Sequence, residues 1–273
     1  MEMLALFTTL AYLLSTVGYS AFLFQQKKVL NRIGFILLLA GFILNSILIG
    51  YKYALAGQFP AYDLQGTLVV AAWAVAGVFF LLQYKFHLKI LGLFAALLAA
   101  VVMLAASQAT SQPLPDRNLF NNFWLISHVI AVFIGNASFA LACGAGLLYL
   151  LQERAIKSKR PGFFFKRLPA LERIDGTGYA CIVIGFSMLT LGLITGFVYA
   201  KSVWGRFWGW DPKEIWAGIT WLLYAALLHG RVSLGWRGRK AAMMSIIGFA
   251  VLLFTFFGVN FLLQGHHGQF TRF

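Results

Sequence analysis

Apolar runs long enough to cross a lipid bilayer recur along the whole chain. The hydrocarbon core of a bilayer requires roughly 20 consecutive apolar residues in a helix. The pattern predicts eight helices near this length, at residues 3–24, 33–51, 65–83, 89–107, 121–152, 176–200, 212–230 and 241–264. The fifth is longer, so its outer end is expected to project beyond the hydrocarbon. The fold class is therefore predicted to be all-α, a polytopic membrane protein with one membrane domain over residues 1–273.

The composition supports this prediction. The chain is 60% hydrophobic and only 11% charged, whereas a soluble domain carries about 25% charged residues. No signal peptide needs to be invoked, because the first apolar run is one span among several. The two cysteines, Cys143 and Cys181, lie inside apolar runs and are expected to be small core residues.

Lysine and arginine are divided unequally between alternate loops. The larger group holds 16 of the 22: Lys27, Lys28, Arg32, Lys85, Lys89, Arg154, Lys157, Lys159, Arg160, Lys166, Arg167, Arg173, Arg231, Arg237, Arg239 and Lys240. The smaller group holds Lys52, Arg117, Lys201, Arg206, Lys213 and Arg272. Because cytoplasmic loops carry the excess of positive charge, both termini are predicted on the outer, periplasmic side. The net charge of +14 and the basic cytoplasmic loop 153–175 then require no nucleic acid.

Residues 201–221, the tryptophan segment, lie on the predicted outer side. They contain five of the eight tryptophans: Trp204, Trp208, Trp210, Trp216 and Trp221. Asp211-Pro212-Lys213-Glu214 predicts a helix start, with Asp at the N-cap, Pro at the first helical position and Glu closing a capping box. Capping is the default role of Asp211 and Glu214. An interfacial aromatic belt would spread its tryptophans over many helix ends, whereas this cluster indicates a flat, rigid face for a large planar ligand such as a porphyrin.

Three of the five histidines lie where the pattern places the outer surface. His128 is about two turns into the fifth helix, and His266 and His267 follow the eighth. Two imidazoles from opposite directions can make heme iron six-coordinate, with the indoles supporting the macrocycle. Zinc is the rival, although it usually takes three or four closely spaced ligands. A hydrogen-bonded interfacial role also stays open for any single histidine.

His229 ends the seventh helix, at the opposite side of the membrane from the tryptophan segment. At about 1.5 Å per residue, it lies roughly 25 Å from Pro212. It is predicted either to ligate iron at a second, inner site or to interact with the C-terminus of its own helix. His87 lies in a short basic loop and is expected to be solvated.

The sequence WGRFWGWDPKEIWAGITWLLYAALLHGR closely resembles the "WWD" signature of heme-handling cytochrome c assembly proteins of the CcsA/ResC type, in the System II pathway. NFWLISHVIAVFIGNASFALACGAGLLYLLQ is similar to the family segment with the first outer histidine. GVNFLLQGHHGQF is similar to the segment with the second, written GxGLHSY in the family. Pro60-Ala61-Tyr62-Asp63 partly matches a family P-x-x-x-Y-E element.

The resemblance implies heme b as a transported substrate. His128 and His267 would ligate the outer heme iron, and His266 competes with His267 because Gly265-His266-His267-Gly268-Gln269 replaces the family pattern. His229 would ligate the inner heme iron together with a ligand from a partner. The remaining implied heme-binding residues are Trp204, Trp208, Trp210, Asp211, Trp216 and Trp221.

The implied function is to move heme across the membrane and present it for thioether attachment to the CxxCH of apocytochrome c, with a CcsB/ResB-type membrane partner. No residue must act as general acid or base, so enzyme activity belongs to the complex, a holocytochrome c synthase (heme lyase). The implied location is the cell inner (cytoplasmic) membrane, or the thylakoid in a plastid. One alternative is heme binding without ligation, for delivery to a chaperone or as a HemX-like regulator. Another is a non-heme transporter or scaffold anchored by its tryptophans.

Overall fold

The chain folds into a bundle of helices. A computed structural model describes residues 2–109, 121–158, 162–163 and 165–258, with side chains up to residue 256. Over these residues the secondary structure is entirely helical: α1 (Glu2–Gln25), α2 (Lys28–Ala56), α3 (Leu64–Phe86), α4 (Leu91–Gln108), α5 (Phe123–Lys157), α6 (Leu171–Trp204), α7 (Pro212–Ser233) and α8 (Arg239–Leu253). A π-helical turn, Phe254–Gly258, continues α8. The predicted all-α fold class and the eight helices are confirmed.

Seven of the described helices are long and apolar enough to cross a membrane, namely α1 to α6 and α8 with its extension. The chain is therefore a polytopic membrane protein. The helix outside this set is α7, which carries Lys213, Glu214 and Arg231 in addition to His229. The orientation of the termini stays a prediction, and the end of the bundle with the tryptophan segment is the predicted outer end.

Several helices extend further than the apolar pattern predicts. α2 continues to Ala56 and α6 to Trp204, and each ends at a glycine with a left-handed backbone, Gly57 at φ 66° and Gly205 at φ 72°. Glycine adopts this conformation without steric cost and so stops a helix. Lys52 and Lys201, two of the basic residues assigned to loops, consequently lie inside helices. The hydrophobic pattern locates the apolar part of a helix, whereas the backbone of the capping residue decides where the helix ends.

The helices α5, α6 and α7 share one tightly packed core. A Cβ added at Gly135 of α5 would lie 3.2 Å from the Gly185 oxygen of α6, so the two backbones are nearly in contact. The Phe139 ring covers Gly185 and stacks on Tyr224 of α7 with 3.5 Å between ring centroids. Phe139 and Tyr224 are both fully buried. This core fixes the helices that carry His128, the tryptophan segment and His229.

Polar side chains join α1, α2 and α3 on the other side of the bundle. The Asn45 Nδ2 donates to the Tyr12 hydroxyl and to the Val69 carbonyl, at 3.3 Å each. The Trp73 indole nitrogen donates to the Ser46 hydroxyl at 2.9 Å. Hydrogen bonds of this kind hold helices together where the lipid supplies no hydrophobic driving force.

Candidate functional site

The predicted start of α7 is confirmed in detail. The Asp211 Oδ1 accepts a hydrogen bond from the Lys213 backbone N–H at 2.9 Å, and the Glu214 Oε2 accepts from the Asp211 N–H at 3.3 Å, which completes a capping box. Glu214 also accepts from the Gly209 N–H at 2.7 Å. Asp211 is buried, with 4% of its surface exposed. Both carboxylates therefore act as caps and fold the end of the tryptophan segment onto α7.

Replacing Asp211 with alanine is expected to destabilise this junction, because the helix then loses its N-cap acceptor. The loss expected for an N-cap is about 1 kcal/mol of unfolding free energy. Thermal unfolding of the purified protein in detergent would measure it. Asp211→Asn is the matched control, since asparagine retains a side-chain oxygen. Equal destabilisation by both variants would show that the negative charge, not the cap, is what matters.

Trp208 and Trp210 pack edge to face. Their ring centroids are 5.9 Å apart with an interplanar angle of 86°. Trp208 is half-buried and also meets the Phe197 ring of α6 at 5.7 Å, whereas Trp210 is 76% exposed. The expectation of one flat indole face is wrong for these two rings. The reason is local: perpendicular arrangements are favoured for aromatic pairs, and the left-handed backbone of Trp210, at φ 57°, turns the chain between them.

The indole nitrogen of Trp208 is a buried donor without a hydrogen-bond partner among the described residues. A buried N–H group that lacks a partner costs roughly 1–3 kcal/mol. Two basic residues belong to the same segment. The Lys201 Nζ donates to the Gly205 carbonyl at 2.9 Å, and the Arg206 guanidinium would lie 3.4 Å from a Cβ added at Gly209. The site thus combines an indole donor with positive charge, a combination suited to a carboxylate ligand.

Trp216 and Trp221 connect α7 to its neighbours. Trp216 packs against Phe254 in the π-helical turn, with ring centroids 4.6 Å apart. The Trp221 Nε1 donates to the Thr190 hydroxyl of α6 at 2.9 Å. Trp204, at the end of α6, meets the Tyr199 ring at 6.2 Å. Of the five indoles, Trp208 is thus the one whose nitrogen is buried without a hydrogen-bond partner among the described residues.

His128 lies on α5 and is bound to the backbone of α6. Its Nδ1 is 2.6 Å from the Gly192 carbonyl oxygen. Because a carbonyl oxygen only accepts, Nδ1 carries the proton, and in the neutral ring Nε2 holds the lone pair through which an imidazole ligates a metal. The ring also borders Gly196, and the next residue, Phe197, contacts Trp208. His128 and Trp208 therefore approach the same turn of α6 from α5 and from the tryptophan segment.

The second predicted outer ligand cannot be placed. His267 and its competitor His266 lie outside the described residues. Within the described part of the chain, no group of three or more His, Cys, Asp and Glu side chains could hold a metal ion. The pairing of His128 with His267 stays a prediction.

Comparison with known protein families shows which family this chain belongs to. A family model described as cytochrome C assembly protein matches residues 61–267, well over half of the chain, including His128 and the tryptophan segment. The chain belongs to the cytochrome c assembly protein family. The match extends to His267, the last of the residues that the family resemblance implicates.

Relatives of this cytochrome c assembly protein match it along most of its length. "Cytochrome c biogenesis protein CcsA" of Guillardia theta is 30% identical and covers 95% of this chain and 93% of its own. The CcsA protein of Prochlorococcus marinus (strain MIT 9215) is 32% identical, over 89% of this chain and 86% of its own. The structure of "Cytochrome c Heme Lyase CcmF" has the same fold, with a TM-score of 0.65 at 15% identity. It covers 98% of this chain, which spans 48% of that one.

The end of the bundle opposite the tryptophan segment, which is the predicted inner end, contains a feature that sequence reasoning missed. The Arg231 guanidinium binds Asp175 of α6 in a bidentate pair, at 3.0 Å and 2.6 Å, and the Gly238 N–H donates to the same carboxylate at 3.0 Å. Gly238 lies five residues after Ser233, the last residue of α7, so this carboxylate ties α6 both to α7 and to the connection that follows it. The available signal was Asp175 itself, an acidic residue at the edge of an apolar run.

His229 precedes Arg231 by two residues on α7, on a different face of the helix, and is exposed. Its Nδ1 is 3.5 Å from the Ser233 hydroxyl, also on α7. The predicted location near the end of the seventh helix is confirmed, whereas its role is not tested by these contacts. This end of α7 is therefore anchored to α6 by Arg231, while the His229 imidazole is exposed.

The resemblance at Pro60–Asp63 corresponds to another helix start. The Asp63 Oδ1 accepts from the Gly66 N–H at 2.7 Å and caps α3. A Cβ added at Gly66 would overlap the Pro60 carbonyl oxygen, so the loop lies directly against the first turn. Burial, and secondarily the neighbouring Asp63 carboxylate, raise the pKa of the Tyr62 hydroxyl, which therefore stays protonated at neutral pH. The acidic residue of this element, Asp63, therefore acts as the N-cap of α3.

Proposed function

We propose that this chain binds heme at its outer end and presents it for covalent attachment to cytochrome c. The observation that carries the proposal is the hydrogen bond made by the His128 ring. Its Nδ1 donates to the Gly192 carbonyl, so Nε2 is the nitrogen whose lone pair would ligate iron. Metal-ligating histidines are typically fixed in this way by a hydrogen bond from the other ring nitrogen. The names of the relatives, cytochrome c biogenesis protein and cytochrome c heme lyase, support the same conclusion.

The substrate, heme b, offers three chemical groups for recognition. Its iron takes His128 and, from the segment after α8, His267. Its carboxylates suit the Trp208 indole N–H together with Lys201 and Arg206. Its apolar rim suits the exposed indoles Trp204 and Trp210, which are 40% and 76% exposed. Asp211 shapes this site through the capping box rather than through contact with the heme.

Attachment adds a cysteine S–H across each vinyl group of the heme. A carbon–sulfur bond and a carbon–hydrogen bond form, the vinyl double bond is lost, and no electrons enter or leave. The residues of this chain therefore act by holding the heme while the CxxCH of the apocytochrome approaches. Holding two reactants in near-attack geometry replaces several kcal/mol of encounter entropy. Two imidazole ligands and an apolar surround would also tune the reduction potential of the iron.

His229 is proposed to serve an inner heme on the path from the cytoplasm. Its side chain is exposed at the inner end of α7, so the other axial ligand is assigned to a CcsB/ResB-type membrane partner. Heme lyase activity then belongs to the complex of the two proteins. The complex is placed in the cytoplasmic membrane, or in the thylakoid membrane of a plastid.

An absorption spectrum tests the proposal directly. The chain is purified after expression with excess heme, alone and together with its partner. We expect a six-coordinate low-spin spectrum, with sharp α and β bands on reduction, in both preparations, and a higher heme content with the partner present. A preparation that binds no heme yet supports cytochrome c maturation in cells would overturn the proposal.

A further inference from the structure

The imidazole of His128 occupies a space that one glycine leaves open. A Cβ added at Gly196 would lie 2.7 Å from its Nδ1 and 2.9 Å from its Cε1, closer than carbon atoms pack. The backbone at Gly196 is ordinary α-helix, so glycine is needed here for space and not for conformation. Any larger residue at this position must displace the ring.

The ring cannot move away without losing its hydrogen bond. Nδ1 is bonded to the Gly192 carbonyl, one turn before Gly196 on the same helix. The backbones cannot easily separate either, because Gly192 itself lies against Val132 of α5. A Cβ there would meet the Val132 Cγ2 at 2.7 Å and its backbone nitrogen at 3.4 Å. Two glycines thus hold α5 close to α6 at the level of His128.

The Gly192 carbonyl has a further side-chain donor besides His128. The single hydroxyl hydrogen of Thr195 is shared between this oxygen, at 3.0 Å, and the Leu191 carbonyl oxygen, at 2.8 Å. Two donors on one oxygen weaken each other. A weaker bond at Nδ1 leaves the imidazole less electron-rich, and a less basic ligand stabilises ferric iron less. Thr195 is therefore placed to raise the reduction potential of a heme that His128 ligates.

We propose that Gly196, Gly192 and Thr195 are positioning residues for His128. Gly196 leaves room for the ring, the Gly192 carbonyl fixes which nitrogen is protonated, and Thr195 moderates that bond. This inference rests on the proposed role of His128 as an outer heme ligand. It adds that the geometry and the electron donation of this ligand are set from α6.

The first test compares two alanine variants of the same helix. Gly196→Ala should displace the imidazole, whereas Gly176→Ala is the matched control, because nothing lies within 4 Å of a Cβ added at Gly176. Changing the group that orients a metal-ligating histidine weakens binding roughly 10–100-fold. We expect weakening in that range for Gly196→Ala, with a change from a low-spin to a high-spin spectrum. Added imidazole should restore the low-spin spectrum, which it would not do for a misfolded protein.

The second test leaves the packing unchanged. Thr195→Val removes only the hydroxyl, so heme should remain bound and low-spin while its midpoint potential becomes more negative. Thr16→Val is the control, since Thr16 makes a similar bond to a backbone carbonyl within α1. An unshifted potential in Thr195→Val, or a low-spin spectrum and wild-type affinity in Gly196→Ala, overturns the inference.

His128→Ala separates this inference from the proposed function. If heme binding does not depend on His128 at all, both fail. If His128→Ala loses the low-spin spectrum but Gly196→Ala and Thr195→Val behave as wild type, the ligand assignment stands. Only the positioning by α6 is then wrong.

Discussion

Replacing His128 with alanine is expected to abolish low-spin heme at the outer end of the bundle. The imidazole Nε2 is lost, and the neighbouring α6 backbone offers only a carbonyl, already used as an acceptor. Changes to groups that merely orient a ligating histidine cost roughly 10–100-fold in affinity, so removal of the ligand itself should cost at least about 100-fold. Heme content per chain and the reduced absorption spectrum measure the effect, and accumulation of holocytochrome c in cells should fall with it.

A second histidine provides a matched control. His87 lies at the other end of the bundle, exposed at the end of α3, with a left-handed backbone at φ 53°. Asparagine tolerates that conformation, so His87→Asn should leave the spectrum unchanged. His266→Ala and His267→Ala identify the second ligand, because only the ligating residue should reproduce the loss seen for His128. A normal low-spin spectrum in His128→Ala would refute the assignment of this residue.

The local features of this chain could be predicted from its sequence. Eight helices follow from the apolar runs, and the start of α7 follows from four consecutive residues, Asp211 to Glu214, because an N-cap depends only on neighbours in the chain. The predicted ends of helices were less accurate. A left-handed glycine such as Gly205 ends α6 four residues after the predicted boundary at residue 200. Apolarity alone carries no information on that backbone conformation.

Contacts between distant residues could not be predicted. His128 and Gly192 are 64 positions apart, and Asp175 and Arg231 are 56 apart. Nothing in the spacing of polar residues indicates which helix faces which. The tilt between Trp208 and Trp210 was also missed, because it follows from the backbone of the loop rather than from its composition. The sequence therefore identifies the candidate residues, and the structure adds how their side chains are oriented towards one another.

The second large effect is expected for Trp208→Phe. Phenylalanine keeps an aromatic ring against Phe197 and Trp210 but removes the buried indole N–H, which has no partner among the described residues. If that N–H donates to a heme carboxylate, a bond to a charged group worth about 1.5–3 kcal/mol is lost. Heme affinity should then fall by roughly 10–150-fold. Titration of the heme-free protein with heme measures this loss.

Stability distinguishes this outcome from a structural defect. In the heme-free protein the variant loses an unsatisfied donor, so its thermal unfolding should change little, although heme binding is weakened. Trp221→Phe should behave in the opposite way, because its nitrogen holds α7 to Thr190 of α6 at 2.9 Å and its loss destabilises the fold. If the tryptophans are only interfacial anchors of a transporter or scaffold, Trp208→Phe retains full function, since phenylalanine anchors equally well. Unchanged heme affinity and cytochrome c maturation in this variant would favour that alternative over heme presentation.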